Sequence, residues 1–175
     1  MASIVMTLIG EDRPGLVRAV AEKLAARGGN WLDARMARLA GQFAGIVLAE
    51  APERELDGLK EELSALADQG LSIIIRETQG PKEPPQQSLL LQLLAQDRPG
   101  IVRDITQVLA TLGVNIEELT TTVSSGSFSG ERMFQASARL RLPPDVPVSQ
   151  LQQVLEQLGN ELMVDISLGS TGKRE

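Results

Sequence analysis

The chain has 175 residues, a formal net charge of −6, and neither cysteine nor histidine. The missing residue types exclude disulfides, thiol nucleophiles, Cys/His zinc sites and imidazole acid–base chemistry, so we expect no metal and no cofactor. The acidic balance, without a cluster of lysine and arginine, argues against direct nucleic-acid binding, and no apolar run is long enough to cross a membrane.

Residues 1–4 lack the positive and apolar segments of a signal peptide, which favours a cytoplasmic protein. Ile4, Met6 and Leu8 then alternate along the chain as in a half-buried strand over residues 3–9. The segment Asp12-Arg13-Pro14-Gly15 predicts a turn. The residues after it have the spacing of a helix that ends at Gly28-Gly29.

Further elements complete a first unit. Two strands over residues 31–39 and 43–50 are joined at Gly41, a helix lies between Pro52 and Gly70, and a last strand begins at Leu71. Leucines at intervals of three and four residues indicate this helix: Leu56, Leu59, Leu63 and Leu66. The predicted order is strand, helix, strand, strand, helix, strand.

The whole pattern then occurs a second time. Asp12-Arg13-Pro14-Gly15 returns as Asp97-Arg98-Pro99-Gly100, and the same offset carries Asn30 onto Asn115. Between the copies, the prolines of residues 80–87 favour a semi-rigid extended spacer. We predict a first domain at residues 1–79, a linker at 80–87, a second domain at 88–169 and a tail at 170–175.

The second copy has features of its own. Ser/Gly-rich residues 124–130 replace the short connection at Gly41 and predict a flexible hairpin tip, and Ser149 and Gln152 have the spacing of a helix capping box. The split βαβ order of both copies predicts two ferredoxin-like βαββαβ sandwiches of the α/β (α+β) class. Each would have a four-stranded antiparallel sheet with two helices on one face, and the other face needs cover.

The Asp-Arg-Pro-Gly turn has a structural and a functional interpretation. Structurally, Asp12 can accept hydrogen bonds from the first helix amides, Pro14 presets a helical φ, and Gly15 permits close approach of backbone or of another chain. Functionally, free amides at a helix N-terminus attract a carboxylate, and a nearby aspartate can bind an ammonium group. Together these two features match an α-amino acid, and the two interpretations are compatible.

Asn30 and Asn115 begin the strand that follows each first helix. Each suits a turn conformation, and alternatively its amide could lie near the first loop, of its own unit or of the twin, and bind a small zwitterion. The arginines around the turns are interpreted as solvated or ion-paired surface residues, with anion binding as the alternative. These are Arg13, Arg18, Arg98 and Arg103.

The succession of strand, Asp-Arg-Pro-Gly-(Leu/Ile)-Val, helix, Gly-x-Asn and strand resembles the ACT domain, a small-molecule-binding regulatory module of amino-acid metabolism. Both units show it, and a chain of two such units resembles the glycine cleavage system transcriptional repressor family. The resemblance implies amino-acid binding at interfaces between paired domains. It places the ligand contacts at Asp12, Gly15, Leu16 and Asn30, and at Asp97, Gly100, Ile101 and Asn115.

The copies differ close to these positions. Gly28-Gly29-Asn30-Trp31 is bulkier than Gly113-Val114-Asn115-Ile116, so an alteration of the first site is one interpretation, with one site binding and the other purely structural. The resemblance implies a regulator without enzymatic activity that senses a small amino acid, glycine or serine. It would act, as a homodimer, on a protein partner such as a DNA-bound transcription regulator.

Two alternatives stay open. The first is a regulatory subunit of an amino-acid biosynthetic enzyme such as acetohydroxy acid synthase, but that family has one ACT-like unit followed by a different domain. The second is a small acylphosphatase-like enzyme. Pro14 and Pro99 argue against it, because each removes a backbone donor that a phosphate-binding loop needs.

Overall fold

The computed structural model describes residues 1–79, 87–125 and 130–170. The chain divides into two compact units, Met1–Lys82 and Glu83–Glu175. Most of the predicted linker, the centre of the predicted hairpin tip and nearly all of the predicted tail lie outside the described residues, so the predicted domain boundaries stay predictions.

The first unit has the predicted order of elements. Its strands are β1 (Ala2–Glu11), β2 (Asn30–Leu39), β3 (Gln42–Ala51) and β4 (Leu71–Thr78), and its helices are α1 (Leu16–Ala26) and α2 (Leu56–Ser64). Short 3-10 helices, Glu53–Glu55 and Ala65–Gln69, extend α2 at both ends. The predicted helix between Pro52 and Gly70 is therefore one helical segment with three parts.

The second unit repeats this order. Its strands are β5 (Ser88–Gln96), β6 (Asn115–Ser125), β7 (Arg132–Arg141) and β8 (Asp165–Ser170), and its helices are α3 (Ile101–Thr111) and α4 (Val148–Leu162). The predicted capping box is wrong. Pro147 is the N-cap of α4 and no side chain caps the helix, because Ser149 is already inside its first turn.

The two sheets have the same topology. The strand order is β2-β3-β1-β4 in the first and β6-β7-β5-β8 in the second, and all pairs are antiparallel. Both second strands shift register just after their first residues, between Trp31 and Asp33 and between Ile116 and Glu118. The fold prediction is confirmed. Each unit has a four-stranded antiparallel sheet and helices, and it belongs to the α+β class.

Each unit has its own aliphatic core between its sheet and its helices. In the first, Met6 of β1 and Leu59 and Leu63 of α2 are completely buried. In the second, Leu140 of β7 and Leu151 of α4 occupy the corresponding layer and are also completely buried. Among the described residues no polar or charged residue is buried, so burial of aliphatic side chains accounts for the packing of both cores.

An ion-pair cluster joins the two helices of the first unit. The Arg27 guanidinium, at the end of α1, donates hydrogen bonds to Glu62 at 2.6 Å and to Glu55 at 3.0 Å. The hydrogen bond from Arg27 lowers the pKa of the Glu62 carboxyl. The cluster fixes the end of α1 against α2, and thereby helps to position the turn at the other end of α1.

In the described part of the chain, no helix is both long and apolar enough to span a membrane.

Candidate functional site

The Asp-Arg-Pro-Gly turn of the first unit ends in a glycine that caps α1. Gly15 is the N-cap residue with φ 95° and ψ −5°, and no side chain caps the helix. A Cβ atom at Gly15 would meet nothing within 4 Å. Glycine is therefore required here by the left-handed backbone, and no other described segment of this chain makes the predicted close approach. The predicted capping by Asp12 is also wrong.

The second turn has the same backbone. Gly100 is the N-cap of α3 with φ 93° and ψ −5°, again without a side-chain cap. The carbonyl of each glycine accepts the first helical hydrogen bond at 2.9 Å, from Ala19 in the first unit and Asp104 in the second. The first amides of both helices have no partner within the helix and are available to a ligand.

We predict that Gly15→Ala lowers the free energy of unfolding by about 1–2 kcal/mol, because a Cβ atom is strained in left-handed backbone. Gly15→Asn should cost less, since asparagine visits this region more readily. Chemical denaturation of the three proteins measures the difference. Equal stability of the alanine variant and the wild type would mean that the turn has another backbone conformation in solution.

The two turn aspartates are both bound to arginine. The Oδ2 atom of Asp12 lies 2.7 Å from Nε of Arg38, and Oδ2 of Asp97 lies 3.1 Å from an Nη atom of Arg132. Arg38 is in β2 whereas Arg132 begins β7, so the same contact is made from two different strands. A ligand ammonium group would have to share each carboxylate with a guanidinium.

Leu16 and Ile101 follow the two capping glycines. Their side chains are 5% and 2% exposed and belong to the two cores. The backbone amides of these residues are therefore more accessible than their side chains, and their contact with a ligand stays a prediction.

A small cleft opens beside the first turn. It has a volume of about 190 Å³ and is lined by Arg13, Pro14, Gly15, Leu16, Ala19, Gln69 and Leu71. The Arg13 guanidinium donates a hydrogen bond to the Gln69 carbonyl oxygen across this cleft. Because most ligand pockets have volumes of about 300–1,000 Å³, this cleft suits a molecule of only a few heavy atoms.

The second turn differs in charge. Asp104 occupies the position that Ala19 has in the first unit, in the first turn of α3. Its carboxylate lies 3.7 Å from Nη1 of Arg98 and 2.8 Å from an Nη atom of Arg103. α1 has no acidic residue in its first turn. The positive end of α3 already has a carboxylate beside it, whereas the positive end of α1 does not.

The other predicted turn arginines also have partners. Arg18 pairs with Glu22 at 2.7 Å, and Arg98 and Arg103 pair with Asp104, as expected for surface residues. Arg13 is the exception, because it binds a backbone carbonyl and lines the cleft. Of the four arginines, Arg13 is the one placed to meet an anion at the first turn.

The two asparagines lie far from the turn of their own unit. Asn30 pairs with Glu50, which pairs with Ser3 at the start of β1, whereas the turn follows Glu11 at its end. That length of strand is about 26 Å at about 3.3 Å per residue. The expectation that Asn30 lies near its own first loop is therefore wrong, because α1 leads the chain back across the sheet before β2 begins.

Asn115 has the same position in the second unit. It pairs with Arg141, which pairs with Ser88 at the start of β5, and the second turn follows Gln96 at the end of that strand. In the first unit, the side-chain amide of Asn30 donates a hydrogen bond of 3.4 Å to the Glu50 carboxylate. A ligand held by both the turn and the asparagine cannot be held by one unit alone.

No group of three or more acidic side chains in the described ranges has the geometry of a metal site. The sequence interpretation missed Arg38, Arg132 and Gln69 as neighbours of the turns. The spacing of residues along the sequence does not indicate these neighbours, because they come close to the turns only in the folded unit. The difference between Ala19 and Asp104, which occupy equivalent positions in the two copies, could have been read from the aligned sequences.

Comparison with known proteins identifies the two units. ACT domain models match residues 2–76 and 89–160. The glycine cleavage system transcriptional repressor of Escherichia coli (strain K12) is 24% identical over 161 residues, which cover 91% of this chain and 85% of the repressor.

Two solved structures are similar to this chain over nearly its whole length. An unknown protein from Galdieria sulphuraria has a TM-score of 0.84 and 30% identity, covering 98% of this chain and 99% of that one. A protein provisionally assigned as a glycine cleavage system transcriptional repressor has a TM-score of 0.74 and 21% identity, with 98% of both chains covered. With an ACT domain matched in each half, the chain belongs to the ACT domain family as a tandem ACT-domain protein.

Proposed function

We propose that this protein is a regulator that senses a small amino acid and acts by contact with a partner protein, without catalysis and without binding DNA itself. The observation that carries the proposal is the cleft at the start of α1, where Arg13 and uncapped helix amides meet in an ACT domain. The match of the Escherichia coli repressor over 91% of this chain supports a regulatory role. The net charge of −6 supports the absence of direct DNA contact.

The first turn is the better carboxylate site. The N-terminal end of a helix attracts anions through its unpaired amides and its dipole, and here Arg13 adds a positive charge. In the second unit Asp104 opposes an incoming carboxylate. We propose that the first unit binds the ligand and that the second has a structural role.

The ammonium end of the ligand would meet Asp12. Arg38 uses the Oδ2 atom of this carboxylate, so the ammonium contact would fall to Oδ1. Because the cleft is small, we propose glycine or serine as the ligand. Asn30 is far from this turn in its own unit, so a contact from this asparagine position would come from another ACT unit.

We predict that Ala19→Asp weakens the binding of glycine or serine at least about tenfold, or about 1.4 kcal/mol. The new carboxylate would lie where the ligand carboxylate binds, and Asp104 shows that the fold tolerates aspartate at this position. Titration calorimetry of the full chain with each amino acid measures the loss.

Asp104→Ala is the matched control, and it should leave the first site unchanged. Tighter binding in this variant, with Ala19→Asp unaffected, would assign the ligand to the second unit, because Asp104 opposes a carboxylate there. Absence of heat with every amino acid tested would contradict sensing.

Capture of partners from cell lysate tests the second half of the proposal. The immobilised chain is expected to retain a transcription regulator, and glycine or serine should change the amount retained, because a ligand shifts an equilibrium by its different affinity for two states. Ala19→Asp should remove this dependence on the amino acid. Retention of a large biosynthetic enzyme instead would support the regulatory-subunit alternative.

A further inference from the structure

The outer face of the first sheet, which is the face away from the helices, is apolar at its centre. It is formed by Val5, Ile9, Ile46, Leu48 and Ile74, with the small polar side chain of Thr7 among them. The side chains of Ile9, Ile46 and Ile74 are 53%, 54% and 62% exposed. Branched aliphatic side chains that are grouped and exposed on a sheet usually mark a surface that another protein covers.

The outer face of the second sheet has a different chemistry. Its centre is a shallow depression of about 520 Å³ in which the outward side chains are mostly hydroxyls and amides. Gln92, Thr120, Thr122, Gln135 and Ser137 are among them. The apolar outer face is thus a property of the first unit and not of the repeat.

The strand register places opposite charges at the two ends of one row on the first outer face. Asp33 of β2 lies beside Leu48, Leu48 beside Val5, and Val5 beside Arg76 of β4. The row therefore reads acidic, apolar, apolar, basic across the sheet. Read from the other side, it reads basic, apolar, apolar, acidic.

We propose that the outer face of the first unit packs on the same face of a second copy of this chain, about a two-fold axis parallel to the strands. Such an axis runs between β3 and β1. It places each row of side chains opposite the same row of the second copy, read in the reverse direction. Asp33 then faces Arg76 of the second copy, and Leu48 faces Val5 of the second copy. The ion pair forms twice, as a two-fold interface requires.

Both charged groups suit these pairs. The Asp33 carboxylate accepts hydrogen bonds at Oδ1 from the Ala34 amide at 2.8 Å and from Arg35 at 2.5 Å. The hydrogen bond from Arg35 lowers the pKa of Asp33, so this carboxylate is charged at neutral pH. Arg76 has no ion-pair partner among the described residues.

A two-fold axis across the strands is less favourable. Centred between the rows of Asp33 and Arg35, it would place Arg76 against Ile74 of the second copy. This arrangement would desolvate a guanidinium without a partner, which is costly. The axis parallel to the strands pairs Arg76 with Asp33 of the second copy. It also sets Arg35 against Ile74 of the second copy, but Arg35 keeps its ion pair with Asp33 of its own chain.

The area is sufficient for a specific dimer. Four strands spaced about 4.8 Å apart and about ten residues long present roughly 600 Å² on one face. Two such faces in contact remove about 1,200 Å² from water, the lower end of the range for specific interfaces. Aligned sheet-on-sheet packing at about −30° is a common arrangement for faces of this kind.

Sedimentation equilibrium of the full chain tests the proposal through charge exchange. The wild type is expected to be a dimer. Asp33→Arg and Arg76→Asp should each weaken the dimer at least about tenfold, because each places like charges opposite one another twice. The double variant restores opposite charges and should recover most of the affinity.

Asp57→Arg is the matched control. It makes the same charge change on α2, where the side chain is 99% exposed, and it should leave the dimer unchanged. A monomeric wild type would overturn the proposal. So would a double variant that dissociates as readily as the single variants, since the face would then have another occupant or another axis. None of these outcomes depends on amino-acid binding.

Discussion

Replacing Leu63 with alanine is expected to lower the free energy of unfolding of the first unit by about 2–5 kcal/mol. Leu63 is completely buried between α2 and the sheet, within an entirely aliphatic core. Alanine loses the transfer free energy of the removed carbons and leaves a cavity that rigid neighbours fill only in part. A loss of this size is a large fraction of the stability of a small domain.

The single tryptophan makes this effect measurable in one unit. Trp31 packs against the core of the first unit, so its fluorescence reports on that unit during denaturation. Leu155→Ala, in the second core, is the matched control and should change the circular dichroism transition while the fluorescence transition stays in place. A fluorescence transition that moves equally in both variants would show that the units unfold together.

Gly10→Ala is expected to destabilise the first unit by about 1–3 kcal/mol, the usual cost of overpacking. A Cβ atom at Gly10 would lie 2.4 Å from the Gly70 carbonyl oxygen and 3.3 Å from the Leu71 Cα atom. Both are backbone atoms of the strand junction beside β1, so they cannot rotate away. The strand has to shift, and Gln69, which accepts the hydrogen bond from Arg13, shifts with it.

This variant should therefore reduce amino-acid binding as well as stability. Thermal unfolding and calorimetry on one preparation measure both effects. Gly169→Ala is the control, since an added Cβ atom on this exposed strand meets nothing within 4 Å and should change stability by less than about 0.5 kcal/mol. If Gly10→Ala were as stable as Gly169→Ala, the backbone of Gly70 and Leu71 would lie farther from Gly10 than the structure places it.

Much of the fold follows from local patterns. Alternating residues such as Ile4, Met6 and Leu8 face one side of a strand, and leucines such as Leu59 and Leu63 share one side of a helix, so element types could be predicted from short windows. Because the sequence repeats, each prediction for the first unit also applied to the second. The capping box at Ser149 failed because a spacing does not determine where a helix begins.

Of the candidate site, the sequence predicted the turn and the helix that follows it. It did not predict that Gly15 and Gly100 are the N-caps, in left-handed conformation. The partners of the turn were not predictable. Arg38 reaches Asp12 through the pairing of β2 with β3, and Arg132 reaches Asp97 from the start of β7. Residues so far apart in sequence become neighbours only when strands pair.

By itself, the sequence determined the two-fold repeat, the order of elements, the aliphatic cores and the two Asp-Arg-Pro-Gly turns that precede helices, because these depend on periodicity and on local backbone preference. Only the tertiary structure decided that Asn30 lies at the opposite end of the sheet from its own turn. It likewise decided that Asp12 is bound to Arg38, and that Asp33 and Arg76 share a row. Strand register brings distant residues together or keeps them apart, and register is a property of the folded sheet.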